Sequence, residues 1–251
     1  MQYIIRPIFM GRFKNFEKST FTYRVGVGEK ISPPLFCYLV EGNGKHVLVD
    51  TGPVSPELAP QKTHLQVHDP VTLTDGLACL GLAPADIDCV ILSHLHWDHS
   101  YNLELFPDQP IYVQKTELEY MMNPLPCDSA CSMEPANGRI IQWFPAFKQM
   151  KVVDGDATIM PGIRVLHLPG HTPGMQGIAV DTEEGVCVIT SDNCPLYENF
   201  ERMIPSGIHV DLREWYRSHA RMREIADFIL PGHDEKVLQR TLYGNLHSEN
   251  Q

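Results

Sequence analysis

His94-Leu95-His96-Trp97-Asp98-His99 follows directly on the apolar run Val90-Ile91-Leu92 and packs three imidazoles and a carboxylate into six residues. A regular strand would send positions 94, 96 and 98 to one side and 99 to the other. A loop at a strand's end can instead turn all four side chains toward one point. Neutral imidazole nitrogen and carboxylate oxygen together suit zinc, manganese or iron. A chain with this run must therefore fold so that a strand ends at an enclosed polar site, and a polar surface turn is the weaker alternative.

Three later segments repeat the arrangement of an apolar run that ends in one ligand type. Val165-Leu166-His167-Leu168-Pro169-Gly170-His171-Thr172-Pro173-Gly174 places His171 in a turn fixed by Pro and Gly on both sides. Val188-Ile189-Thr190-Ser191-Asp192 presents Asp192, and Phe228-Ile229-Leu230-Pro231-Gly232-His233 presents His233. Each alone reads as an ordinary solvated turn. With 94–99 they make seven candidate ligands, which exceeds one tetrahedral site and points to two metals sharing a carboxylate.

Between these points lie short apolar runs punctuated by Gly, Pro and Asp, which read as strands: residues 3–9, 35–40, 46–49, 90–92, 111–113, 151–153, 163–168, 176–181, 186–190 and 228–230. Gly42-Asn43-Gly44 is a hairpin signal. Helical spacing appears around 72–82, near 115–122, and in the run Leu212, Trp215, His219, Met222, Ile225. Residues 123–138 carry three prolines without periodicity and read as a loop or lid. The expectation is one domain over residues 1–251 with mixed strands and helices.

Composition narrows the partners. With 43% hydrophobic and 20% charged residues the chain has a globule's make-up, and its net charge of −11 gives no basic face for nucleic acid or an anionic membrane. No apolar stretch approaches the roughly 20 residues of a membrane-spanning helix, and the N-terminus lacks a signal peptide's basic region and apolar core. Seven scattered cysteines, an odd number, read as thiols in a reducing cytosol. Cys127 and Cys131 are spaced for a bridge or a metal pair but lack a second pair downstream.

His-x-His-x-Asp-His at 94–99, Pro-Gly-His-Thr-Pro-Gly at 169–174, the strand-ending Asp192 and Pro-Gly-His at 231–233 together resemble the metallo-β-lactamase superfamily. Asp50-Thr51-Gly52 also matches an early motif of that family. The resemblance implies an α+β fold, an αββα sandwich of two packed mixed sheets flanked by helices. It implies that His94, His96 and His171 hold one metal, that Asp98, His99 and His233 hold a second, and that Asp192 bridges them. Two divalent ions follow, Zn2+ first, with Mn2+ or Fe2+ as alternatives. Asp50 is the candidate partner for a ligating imidazole.

The run Ser93–Asn102 and the segment after Asp192 are most similar to N-acyl homoserine lactonases, which implies quorum quenching by lactone hydrolysis. A metal-bridging hydroxide would attack the ring ester, and Asp98 would pass a proton to the departing oxygen. Those lactonases carry a Tyr three residues beyond the bridging Asp that helps hold the substrate carbonyl. Pro195 stands there in this chain, and Tyr197 is the expected replacement. The departure leaves other small lactones, such as pyridoxolactone, beside the acyl homoserine lactones as substrates. Trp97, set inside the metal loop, is the expected apolar contact to substrate, and a homodimer is compatible with the resemblance. A glyoxalase II-like thioesterase uses the same ligands but binds glutathione through a basic C-terminal extension. Here Lys236 and Arg240 are the only Lys or Arg beyond His233. A non-catalytic metal-binding module is disfavoured, because structural zinc sites are closed and mononuclear.

Overall fold

The structure is a computed structural model that describes residues 2–54, 67–126 and 143–246. From the N-terminus it forms β1 (Ile4–Phe13), β2 (Phe16–Glu17), β3 (Lys30–Ile31), β4 (Pro34–Gly42), β5 (Lys45–Val49) and β6 (Val67–His68). Helix α1 (Leu73–Cys79), β7 (Cys89–Ile91), β8 (Ile111–Gln114), α2 (Lys115–Met122) and β9 (Met150–Val153) follow. The remainder gives β10 (Ala157–Met160), β11 (Ile163–His167), β12 (Gln176–Thr182), β13 (Gly185–Ser191), α3 (Tyr197–Arg202), α4 (Leu212–Ile225) and β14 (Phe228–Pro231).

Among the described residues one sheet has the order β6-β1-β4-β5-β7-β8-β9, and a second has the order β10-β11-β12-β13-β14. The first is drawn from residues 4–153 and the second from 157–231. The β4–β5 hairpin closes through Asn43 and Gly44 at φ +54° and +69°. Both central residues are left-handed, which gives a two-residue loop the twist of its flanking strands.

The strands are buried on both faces, so they read as near-continuous apolar runs. In β4, Phe36, Tyr38 and Val40 face the second sheet while Leu35, Cys37 and Leu39 face the other way. Likewise Cys187 and Ile189 of β13 enter the layer between the sheets and Val188 faces outward. Side-chain alternation thus builds three apolar layers. The middle one joins the two sheets. One outer layer packs α1 and α2 on the first sheet, with Leu73, Leu77 and Met121 buried. The other packs α4 on the second sheet through Trp215 and Met222. Asp211 caps α4 by accepting hydrogen bonds from the Arg213 and Glu214 amides at 2.8 and 3.0 Å. This is the expected αββα sandwich.

Strand direction gathers the polar turns. β5, β7, β8 and β9 run parallel. In the second sheet β11 and β13 are both antiparallel to β12, and β14 is parallel to β13. The C-termini of β5 and β7 therefore share one edge of the first sheet, and those of β11, β13 and β14 share one edge of the second.

Five elements were not expected: β10, the two-residue strands β2, β3 and β6, and α3 in a segment that reads as a turn. The first is a short edge strand whose Ala157–Met160 run is too brief to stand out. Cys127, Cys131 and most of the expected lid lie outside the described residues. Among those described, no helix is long and apolar enough to cross a membrane.

Candidate metal centre

The seven side chains singled out by sequence converge at the shared edge. One group comprises His94, His96, His171 and Asp192, and a second comprises Asp98, His99 and His233. Within each group the potential ligand atoms lie within 4.8 Å of one another. All seven residues are buried, Asp98 the least so at 8% exposure. Asp192 touches both groups: its Oδ1 lies 3.3 Å from His99 Nε2 and 3.0 Å from His233 Nε2, and its Oδ2 lies 3.5 Å from His171 Nε2.

Local backbone explains the delivery. Asp50 and Ser191 sit just beyond β5 and at the end of β13 with φ of +61° and +45°. Left-handed backbone is unfavourable for such residues and clusters where a chain must turn sharply at a functional site. The turn at Ser191 swings Asp192 out of the strand line, and the turn at Asp50 aims its carboxylate across to β7's end.

Four of the imidazoles are oriented by a partner on their second nitrogen. Asp50 Oδ2 accepts from His99 Nδ1 at 2.8 Å and from Ser93 Oγ at 2.8 Å, while its Oδ1 accepts from the Ser93 amide at 2.7 Å. Because the Ser93 hydroxyl donates to Asp50, its oxygen accepts from His94 Nδ1, 3.0 Å away. His171 Nδ1 donates to the Ile208 carbonyl at 2.8 Å, and His233 Nδ1 to that of Pro34 at 2.9 Å. In the neutral ring each of these bonds fixes the tautomer, with Nε2 as the lone pair. The Nε2 atoms of His94, His99 and His233 are buried with no hydrogen-bond partner, as is Asp192 Oδ1. Buried polar atoms without partners cost roughly 1–3 kcal/mol each. Lone pairs facing one another, each backed by a hydrogen bond on the far nitrogen, are the arrangement a bound cation requires. His96 offers its other nitrogen: Nδ1 lies 3.0 Å from His171 Nε2, so the two share a proton or a cation. The donor set thus fits two divalent ions.

Charge acts in the same direction. Burial, with His99, His96 and His171 nearby, holds His94 well below the usual imidazole range, in the neutral form that binds metal. Burial also pulls His99 down, but the carboxylates of Asp98, Asp192 and Asp50 outweigh it and hold it well above that range. Asp192 is pushed up by burial and carried well below the carboxylate range by His233 and His99. The carboxylates demand positive charge, which protons supply when metal does not.

Replacing Asp50 by Asn removes that charge while keeping an acceptor. It is expected to weaken metal binding by roughly tenfold to hundredfold, the usual effect of losing a carboxylate behind a ligating imidazole. Titration with a competing chelator measures it, and wild-type affinity would remove Asp50 from this role.

One expectation is corrected. The Tyr197 hydroxyl does not face the ligand groups. The residue opens α3, its side chain is hydrogen-bonded to Tyr243, and Tyr243 donates onward to the Val237 carbonyl at 2.9 Å. Its ring packs against the layer between the sheets, with the Lys236 ammonium 5.7 Å from its centroid. Trp97, at 4% exposure as buried as the ligands, lies edge-on to Phe13 with centroids 6.0 Å apart, and Phe13 in turn lies 5.9 Å from the His233 ring. Phe21 is stacked on a ligand, parallel to His233 at 4.8 Å. Cys194 is buried beside Trp215 in the outer core and joins neither ligand group.

Sequence reading missed Glu117, Ser93 and Asn193. Glu117 is fully buried and accepts from the Leu95 amide, the Thr172 hydroxyl and the Gly174 amide at 2.9, 2.7 and 3.1 Å. Burial pushes its carboxyl up, opposed by those three donors. Asn193 Oδ1 accepts from the His171 amide at 3.1 Å. Only their place beside the motif residues could have signalled Ser93 and Asn193, and nothing local marks Glu117.

Comparison with known proteins places this geometry. The model of the metallo-beta-lactamase superfamily matches residues 34–233. An N-acyl homoserine lactonase from Bacillus sp is 32% identical over 225 residues, covering 82% of this chain and 84% of that protein. One from Bacillus cereus is 28% identical over 236 residues, covering 87% and 88%. The solved structure of a Bacillus thuringiensis AiiA mutant with N-decanoyl-L-homoserine bound at its active site superposes with a TM-score of 0.78. It is 26% identical and the match covers 95% of this chain and 96% of that one. Family model, relatives and the convergence of both ligand groups at one sheet edge agree that the chain belongs to the metallo-beta-lactamase superfamily.

Proposed function

We propose that this protein is a dinuclear metal-dependent lactonase that hydrolyses the ring ester of N-acyl homoserine lactones. The observation that carries the reading is the pairing of two buried ligand groups through Asp192 in a chain whose relatives include N-acyl homoserine lactonases. His94, His96 and His171 would hold one ion, Asp98, His99 and His233 the other, and Asp192 both. Zn2+ is the ion we assign, since imidazole and carboxylate in this number suit it and a dizinc lactonase shares the fold. When bound, two such ions supply a water of lowered pKa as nucleophile and a Lewis acid for the ester carbonyl.

The chain's own groups do the rest. Asp50, Ser93, Ile208 and Pro34 hold the imidazoles in one orientation. To Asp98, at 8% the most exposed of the seven, we assign the transfer of a proton to the departing alkoxide. Tyr197 gives no help with the carbonyl, because its hydroxyl belongs to the Tyr243 chain. The cations that a glutathione thioester would need are committed elsewhere. Arg240 is bidentate to Glu184 at 2.9 and 2.5 Å, and Lys236 lies over Tyr197. A reducing cytosol suits the free thiols of Cys37, Cys89, Cys187 and Cys194, all buried.

A panel of N-acyl homoserine lactones, unsubstituted lactones and S-lactoylglutathione, assayed on Zn2+-loaded protein, tests the reading. Turnover of the acyl homoserine lactones at least a hundredfold above the thioester is expected. Preference for the thioester would overturn it.

A further inference from the structure

We infer that Glu117 is a positioning residue, whose one carboxylate fixes the turn that carries His94 and His96 against the turn that carries His171. The inference rests on the metallohydrolase reading above. Glu117 stands in the first turn of α2 with no exposed surface. Its two oxygens divide between the turns. Oε1 accepts the Leu95 amide at 2.9 Å, and that amide belongs to the residue between His94 and His96. Oε2 accepts the Thr172 hydroxyl at 2.7 Å and the Gly174 amide at 3.1 Å, one and three residues beyond His171.

The contact is close enough to dictate sequence. A Cβ on Gly174 would lie 2.1 Å from the Glu117 amide nitrogen, so only glycine lets the second turn come this near α2. Thr172 supplies a donor where an apolar residue would leave Oε2 short of one. The His-Thr-Pro-Gly sequence after Gly170 is in this sense written around Glu117.

The two turns are also joined farther from the ligands, where the Gln176 amide donates to Ser93 O at 2.9 Å and its side chain to Leu92 O at 2.7 Å. Glu117 is the tie at the ligand end. The atoms whose spacing it governs are His96 Nδ1 and His171 Nε2, which lie 3.0 Å apart. The Asp98, His99 and His233 group is held by other partners, Asp50 behind His99 and the Pro34 carbonyl behind His233. Glu117 therefore governs one of the two ion sites, and this asymmetry separates positioning from general support of the fold.

The test is competition for Zn2+ between a chelator and the full chain, with bound ions counted, for wild type, Glu117→Gln and Thr172→Val. Gln keeps the shape of Glu117 but can accept on only one of the two sides. Roughly tenfold to hundredfold weaker binding of one ion is expected in Glu117→Gln, with the other at its wild-type affinity. Thr172→Val should shift the same ion by a smaller factor. Wild-type affinity for both ions in Glu117→Gln overturns the inference even if the variant unfolds at lower temperature, and so does equal weakening of both. If Glu117→Gln does not fold, Thr172→Val decides: unchanged binding of both ions overturns the inference. A wild-type chain that takes up no Zn2+ removes the centre itself, and this inference with it.

Discussion

Stripping the protein of metal with a chelator is expected to abolish lactone turnover and lower the unfolding midpoint in the same titration, and added Zn2+ should restore both. The stability effect follows from what lies at the centre. Asp50, Asp98 and Asp192 are 4%, 8% and 5% exposed, and five imidazoles crowd around them. Buried carboxylates are costly unless positive charge meets them. Protons on His99 and His233 meet part of that need without metal, and the elevated position of both imidazoles reflects it. An ion present at a thousand times its dissociation constant adds about 4 kcal/mol to folding stability. At about 2–4 °C per kcal/mol for a chain of this size, loss of even one ion should lower the midpoint by roughly 8–16 °C. Calorimetry with and without chelator reads it directly. A midpoint and a turnover rate that both survive complete removal of metal would refute the dinuclear centre.

Asp98→Asn is the second large effect: kcat should fall by roughly a hundredfold to ten-thousandfold, the span that a positioned proton donor supplies. Asn can still offer an oxygen to a cation, so two bound ions should remain. The substitution thereby separates proton transfer from metal holding. The alkoxide that departs from a homoserine lactone is a poor leaving group and gains most from a proton. A phenolic lactone such as dihydrocoumarin releases a phenolate that leaves without one, so the defect should shrink there by at least tenfold. An equal defect on both substrates with both ions in place would return Asp98 to a ligand's role alone.

The ligand ring was legible in the sequence because the chemistry leaves few choices: five histidines and two aspartates, each after an apolar run, cannot all be incidental turns. The strands were legible for a related reason, since burial on both faces turns them into unbroken apolar runs such as Leu35–Val40. Tyr197 was misread because spacing from Asp192 says nothing of direction. Helix α3 starts at that residue and carries its ring toward Tyr243, a partner 46 residues away in sequence. Glu117 was invisible for the opposite reason. A Glu in the first turn of a helix reads as a solvated residue favoured by the helix dipole, and only the approach of two distant turns makes it a buried acceptor.

The division of the chain between its sheets bears on how the protein comes to hold its ions. Residues 4–153 build the first sheet and residues 157–231 the second, and each ligand group draws on both sides of that divide. His94 and His96 meet His171 and Asp192, while Asp98 and His99 meet His233. During synthesis neither group can close early. The second must wait until residue 233 has left the ribosome, and both must wait until the sheets have docked. Ion capture therefore comes late in biogenesis, and a chain still being made carries the 94–99 cluster without His171, Asp192 and His233 to complete it.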